Sequence, residues 1–143
     1  MQRRQTGFTL LEVLVTVAIV GILSAIALPA YSDYVMRGRL TEAFSTLSAA
    51  QPNLEQFWSN QRTYNGFDAA SSNAFPAATP NFTYSLSNAT NSGYLLTATG
   101  RAAALNFAFT IDQQGNRVTT SVPSGWTSNS ACWVDRRSGT CSQ

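Results

Sequence analysis

Residues 8–28 read FTLLEVLVTVAIVGILSAIAL, 21 residues with a single charge, Glu12. As a helix this run spans roughly 31 Å, enough to cross the hydrocarbon core of a bilayer. It is apolar on every face, and the rest of the chain is too short to wrap it, so a buried core helix is a poor reading. The helical pattern then changes character without stopping. Leu40, Ala43, Phe44, Leu47, Ala50, Leu54, Phe57 and Trp58 recur at spacings of three and four and define one stripe. Arg39, Glu42, Gln51, Asn53 and Glu55 fall off it. The spacing predicts a helix continuing over residues 32–60, one face of which packs on a sheet. Pro29 and Pro52 each remove a backbone donor and are expected to bend or loosen it.

Residues 60–81 are rich in Asn, Ala, Ser and Pro with weak periodicity, and are expected to form a surface connection. Strand patterns follow. Phe82-Thr83-Tyr84-Ser85-Leu86 alternates, residues 94–99 form a second run after an Asn91-Ser92-Gly93 turn, and residues 105–111 form a third. Asp112-Gln113-Gln114-Gly115 is a turn leading to residues 117–122. The prediction is an α+β chain: a long N-terminal helix packed on a three- or four-stranded antiparallel meander, with a head of roughly 100 residues, enough for one core.

Composition narrows the chemistry. Nine Arg oppose seven acids, with no Lys and no His, for a net charge of +2. Ser and Thr number 16 each and Asn 10, so the polar surface is mostly neutral. Most metal sites, Ser-His-Asp triads, Schiff bases and P-loop lysines are thereby excluded, and no cofactor is expected. Scattered carboxylates without His or Lys supply no recognisable nucleophile and base, so an enzyme is not expected. The charge is too small for a generally basic nucleic-acid binder.

The flanks of the apolar run carry signals. Arg3 and Arg4 precede it as a short basic region and are matched by Arg37 and Arg39 beyond it, so the short N-terminal tail with its free amine is what favours an N-terminus inside the cell. Ser24, Ala25 and Ala27 leave a removable secretory signal open, although the run is longer than the usual apolar region of one. Glu12 is costly within an apolar span. It is either an interfacial carboxylate reaching water or the partner of a cation at the same depth on another chain. Cys132 and Cys141 follow the anchor, so they lie where disulfides persist and are expected to pair. Free thiols or a redox or metal pair are the alternatives. A C-x8-C spacing without His suits neither redox nor metal chemistry.

Gly7-Phe8-Thr9-Leu10-Leu11-Glu12, behind two arginines and ahead of an apolar run, resembles the type IV prepilin signal. The likeness extends through Gly21, Pro29 and the Ala30-Tyr31-Ser32-Asp33-Tyr34 stretch. It implies the type IV pilin fold, with a leader of residues 1–7 removed by a prepilin peptidase between Gly7 and Phe8. Phe8 would be methylated, and its amine would pair with Glu12 of a neighbouring subunit. Residues 8–31 would be the transmembrane and polymerisation helix, residues 32–60 its amphipathic continuation, and residues 61–143 the head. The segment bracketed by Gly21 and Pro29 would melt in assembled pili. Cys132-Trp133 through Cys141 resembles the disulfide-bounded loop of type IV pilins. The Cys-Trp start resembles minor pilins, a group that includes a DNA-uptake receptor. DNA would then meet Trp133, Arg136 and Arg137.

The implied partners are other pilin subunits, the peptidase, the inner-membrane assembly machinery, inner-membrane lipid before assembly, and DNA. The implied location is the inner membrane, head outward, and then an extracellular pilus serving adhesion, twitching motility or DNA uptake. A type II secretion pseudopilin shares the N-terminal signal. Such heads often carry acidic calcium-binding loops, and no such Asp cluster stands in this sequence. Whether the subunit is major or minor stays open at this level.

Overall fold

The computed structural model describes residues 7–70 and 72–141. The expected leader falls largely on residues 1–6, which lie outside the described residues. One helix, α1, runs over Leu10–Gln61, followed by four strands: β1 (Phe82–Ser87), β2 (Leu95–Gly100), β3 (Ala108–Asp112) and β4 (Arg117–Ser121). The sheet order is β1-β2-β3-β4, antiparallel throughout, so each connection is local. The chain divides into two compact units, Met1–Val35 and Met36–Gln143.

Among its described residues the first unit is helical from Leu10 onward, and its large apolar side chains are exposed from Phe8 through Tyr34. α1 runs through Pro29 and Pro52 as one continuous helix. Past Gln61 the backbone of Arg62 turns left-handed (φ 58°) and its N–H donates to the Trp58 carbonyl at 2.7 Å, which stops the helix.

The second unit holds the core. Leu40, Ala43, Phe44, Leu47, Ala50 and Leu54 of α1 are buried. They pack with Phe82, Leu96, Ala98, Phe109 and Ile111 of the sheet. Register explains why one sheet face is apolar: Phe82 pairs with Gly100, Tyr84 with Ala98, Leu86 with Leu96, and Leu96 in turn with Ile111. Residues two apart on a strand share a face, so the inward set is continuous across three strands. Phe44 meets Phe109 edge-on at 4.9 Å and stacks on Trp133 at 5.3 Å.

Three expectations change. Residues 60–81 are more than a surface connection, because Tyr64 and Phe67 are buried in the core. Phe67 packs edge-on against Phe57 at 5.4 Å and lies 5.8 Å from Phe75. Phe57 and Trp58 are correspondingly only partly buried, at the end of the stripe. The third strand begins at Ala108 instead of residue 105. The preceding residues form a 3-10 turn, Ala102–Ala104, followed by Asn106 at φ 70°, a conformation incompatible with a strand.

Candidate functional site

Two regions carry the residues singled out by sequence, one in each unit. At the start of α1, Thr9 precedes the first helical residue. Its hydroxyl accepts from the Glu12 N–H at 3.2 Å, and its carbonyl accepts from Val13 N–H at 3.2 Å. This is an N-cap, and Thr9-Leu10-Leu11-Glu12 fits the T-x-x-E capping pattern. The cap fixes where the helix begins, so Glu12 stands in its first turn with Phe8 and Gly7 outside it. Sequence reading valued Glu12 for its charge and missed Thr9 as the residue that positions it; the T-x-x-E spacing was the available signal. Phe8 and Glu12 are both exposed, and nothing lies within 4 Å of a Cβ built on Gly7 or Gly21.

In the second unit, Cys132 and Cys141 are disulfide-bonded, with Cα atoms 6.2 Å apart. The enclosed loop is sewn to the sheet by Thr119. Its N–H donates to the Asn129 carbonyl at 2.9 Å and its hydroxyl to the Cys132 carbonyl at 2.8 Å, while that hydroxyl accepts from Val134 N–H at 2.9 Å. Trp133 is 1% exposed. Its indole N–H donates to the Thr110 carbonyl at 2.8 Å, and the Arg117 guanidinium lies 4.6 Å from its ring centre, opening a cation–π contact. A nucleic-acid base cannot reach this ring without opening the core. Trp133 is therefore a packing residue, which corrects the contact with DNA expected of it.

Arg136 and Arg137 are exposed on the turn that closes at Gly139, whose N–H donates to the Arg136 carbonyl at 3.0 Å. The Arg137 guanidinium lies 5.8 Å from the Trp126 ring, which is partly buried and packs edge-on against Phe107 at 4.9 Å. Arg117 also lines an open cleft of about 450 Å³ with Asn116, Ser130, Ala131 and Cys132. Sequence reasoning thus missed Arg117 and Trp126, which only the fold brings to the region of the loop. Asp135, the acid beside the arginines, is buried. Nearby, partial burial pushes the Asp112 carboxyl up. Hydrogen bonds from the Asn116 side chain and from the amides of Asn116, Gln114 and Gly115 outweigh this and hold it below its ordinary range. Among the described residues no cluster of His, Cys, Asp or Glu has the make-up of a metal site.

A capped apolar N-terminal helix, a four-stranded antiparallel meander packed on the helix's second half and a C-terminal disulfide loop together make a type IV pilin. The chain belongs to the family described as type IV minor pilin ComP, DNA uptake sequence receptor, whose model matches residues 29–114. The prokaryotic N-terminal methylation motif matches residues 2–28. Fimbrial protein EcpC of Eikenella corrodens is 40% identical over 84 residues, 59% of this chain and 53% of that protein. The type IV major pilin protein PilE1 of Neisseria gonorrhoeae is 42% identical over 60 residues, 42% of this chain and 36% of its own length. The aligned stretches thus span about half or less of these relatives. The crystal structure of the non-core minor pilin PilV of Neisseria meningitidis superposes with a TM-score of 0.55 over 64% of this chain and 93% of that one, at 17% identity, and shows a shared fold. The family match ends at Gln114, before β4 and the disulfide loop.

Proposed function

We propose that the chain is a structural subunit of a type IV pilus, assembled through its N-terminal helix. The observation that carries this reading is the start of α1. A threonine cap holds Glu12 in the first turn of a helix whose large apolar side chains from Leu10 to Tyr34 are exposed among the described residues. A prepilin peptidase cuts between Gly7 and Phe8, and Phe8 is methylated. Until assembly, residues 8–31 hold the chain in the inner membrane with the head outside the cytoplasm. The assembly machinery then moves the helix into the filament. There the Phe8 amine of one subunit meets Glu12 of the next, since charges tolerate burial only when paired. Gly21 and Pro29 bound the segment most easily freed of helical bonds. No catalysis is needed for this role.

The test is to shear surface fibres and measure the intact mass of this chain in them. A chain starting at methylated Phe8 and recovered in fibres supports the reading. A product retaining Met1, or cut after Ala25 or Ala27, contradicts it.

The matched family's description favours a second reading, in which the subunit is a minor pilin that receives DNA. Arg136 and Arg137 would then contact phosphates, with Trp126 replacing Trp133 as the ring within reach. Each phosphate contact contributes about 0.9 to the salt slope of log K on duplex DNA. Full-length protein in detergent should bind DNA at low salt, and Arg136→Ala/Arg137→Ala should flatten the slope by about 1.8. Unchanged binding by the double variant contradicts this assignment.

A further inference from the structure

Among the described residues of Met36–Gln143, one large apolar side chain is exposed: Leu105, at 60%. All the others so exposed belong to residues 8–34, the surface that the proposed assembly buries. Leu105 sits on the β2–β3 connection beside Ala102 and Ala103, which are also exposed. An isolated exposed Leu is ordinary. This one is held out by a stiff and specific turn. Ala102 takes a left-handed backbone (φ 50°), as does Asn106, although alanine has no side-chain compensation for it. Gly100 lets the Ala104 carbonyl approach where any Cβ would collide. The Arg101 N–H donates to the Asn81 carbonyl at 2.8 Å, and its guanidinium donates to the Thr79 carbonyl.

The place of the turn matters. The Asn81 side chain donates to Glu42 at 2.8 Å, which puts Arg101–Asn106 at the end of the head where α1 enters. At the opposite end, the indole of Trp58 donates to the Asn91 carbonyl at 2.8 Å. The turns there read Asn88-Ala89-Thr90-Asn91-Ser92-Gly93 and Asp112-Gln113-Gln114-Gly115, polar and without a large aliphatic. At the end of the head where its own stretch of α1 begins, this turn carries exposed aliphatic side chains, whereas those two turns at the other end carry none that is large.

We infer that the Ala102-Ala103-Leu105 turn is a second assembly contact, which packs on the apolar N-terminal helix of a neighbouring pilin subunit. The inference rests on the pilus-subunit reading and names a surface of the head for it. A neutral aliphatic knob suits an aliphatic helix surface and offers nothing to nucleic acid.

Full-length chain carrying Ala103→Cys tests it, with Gln114→Cys at the far end as control. The native cysteines are paired, so a membrane-impermeant maleimide reports the new thiol alone. Wild-type chain is first located. Its absence from sheared fibres would overturn the subunit reading itself, and this inference with it. With the chain in fibres, Ala103→Cys should label freely in the membrane pool and at least tenfold less in fibres, while Gln114→Cys labels alike in both. A photo-crosslinker on the Ala103→Cys thiol should capture a peptide from residues 8–34 of another subunit. Leu105→Ser should lower the fibre-to-membrane ratio several-fold with its disulfide intact. Equal labelling of Ala103→Cys in fibres and membrane would overturn the inference. Protection in the membrane pool alone would overturn it in favour of a lipid contact.

Discussion

Among the described residues, the large apolar side chains from Phe8 to Tyr34 are exposed, whereas in Met36–Gln143 they gather around one core and a single leucine stands exposed. Both units contain stretches of the same helix. The difference lies in what the sequence supplies opposite each half. A stripe at spacings of three and four needs a partner on one side only, and the meander provides it. A helix apolar on all sides needs a surrounding, whether lipid or other helices, and none of the described residues covers it. The head is therefore stabilised by its own contacts, and on the proposed reading the N-terminal helix is stabilised by assembly.

That contrast is easiest to break at Trp133. Trp133→Ala removes the ring stacked on Phe44 and the bond to Thr110, and should cost about 3–5 kcal/mol in urea unfolding of the detergent-solubilised chain. Leu23→Ala, the same kind of truncation in the other unit, should leave head unfolding unchanged. A comparable loss from Leu23→Ala would mean that the two units are not energetically separate. A smaller effect is expected from the disulfide. Cys132→Ser/Cys141→Ser frees a loop of nine-residue separation and should cost about 2–3 kcal/mol through the unfolded chain. Because Thr119 still ties the loop to β4, the sheet should persist, as judged by far-UV circular dichroism.

The smallest effect sharpens the account of residues 60–81. Burial, reinforced by the hydrogen bond to Glu55, pushes the Tyr64 hydroxyl up to about 12. The folded protein then keeps a proton that the unfolded chain releases near pH 10. Its contribution is complete below pH 10 and is lost as pH rises toward 12. Tyr64→Phe should flatten the decline of stability in that window. An unchanged alkaline slope would mean that the hydroxyl is not held in the core.

The periodic parts of the molecule were legible in the sequence. The Leu40-to-Leu54 stripe and the alternation in β1 and β2 report their own burial, because one face repeats. Tyr64, Phe67 and Phe75 were not legible as core, because they lie in irregular chain where no period marks the inward side. The start of β3 was missed for a related reason. Leu105 and Phe107 continue the strand pattern, yet the left-handed backbone at Asn106 ends that register before Ala108. Trp133 shows the limit for a site residue: its place beside two arginines suggested contact with DNA, and only the third dimension reveals Phe44 and Thr110 around it. Thr9 was legible and overlooked, since T-x-x-E ahead of an apolar run is a helix start.

The central claim is that the N-terminal helix is stabilised by assembly, with Glu12 receiving the amine of the adjacent subunit. The direct measurement is the ratio of this chain in sheared fibres to that left in the inner membrane, for wild type, Glu12→Asp and Glu12→Ala, with cleavage at Gly7 checked separately. Removing one partner of a buried pair costs about 3–5 kcal/mol, so Glu12→Ala should insert and be cleaved normally yet incorporate roughly two orders of magnitude less or worse. Glu12→Asp should be intermediate. Equal incorporation of wild type and Glu12→Ala would contradict the account and leave Glu12 as an interfacial carboxylate reaching water.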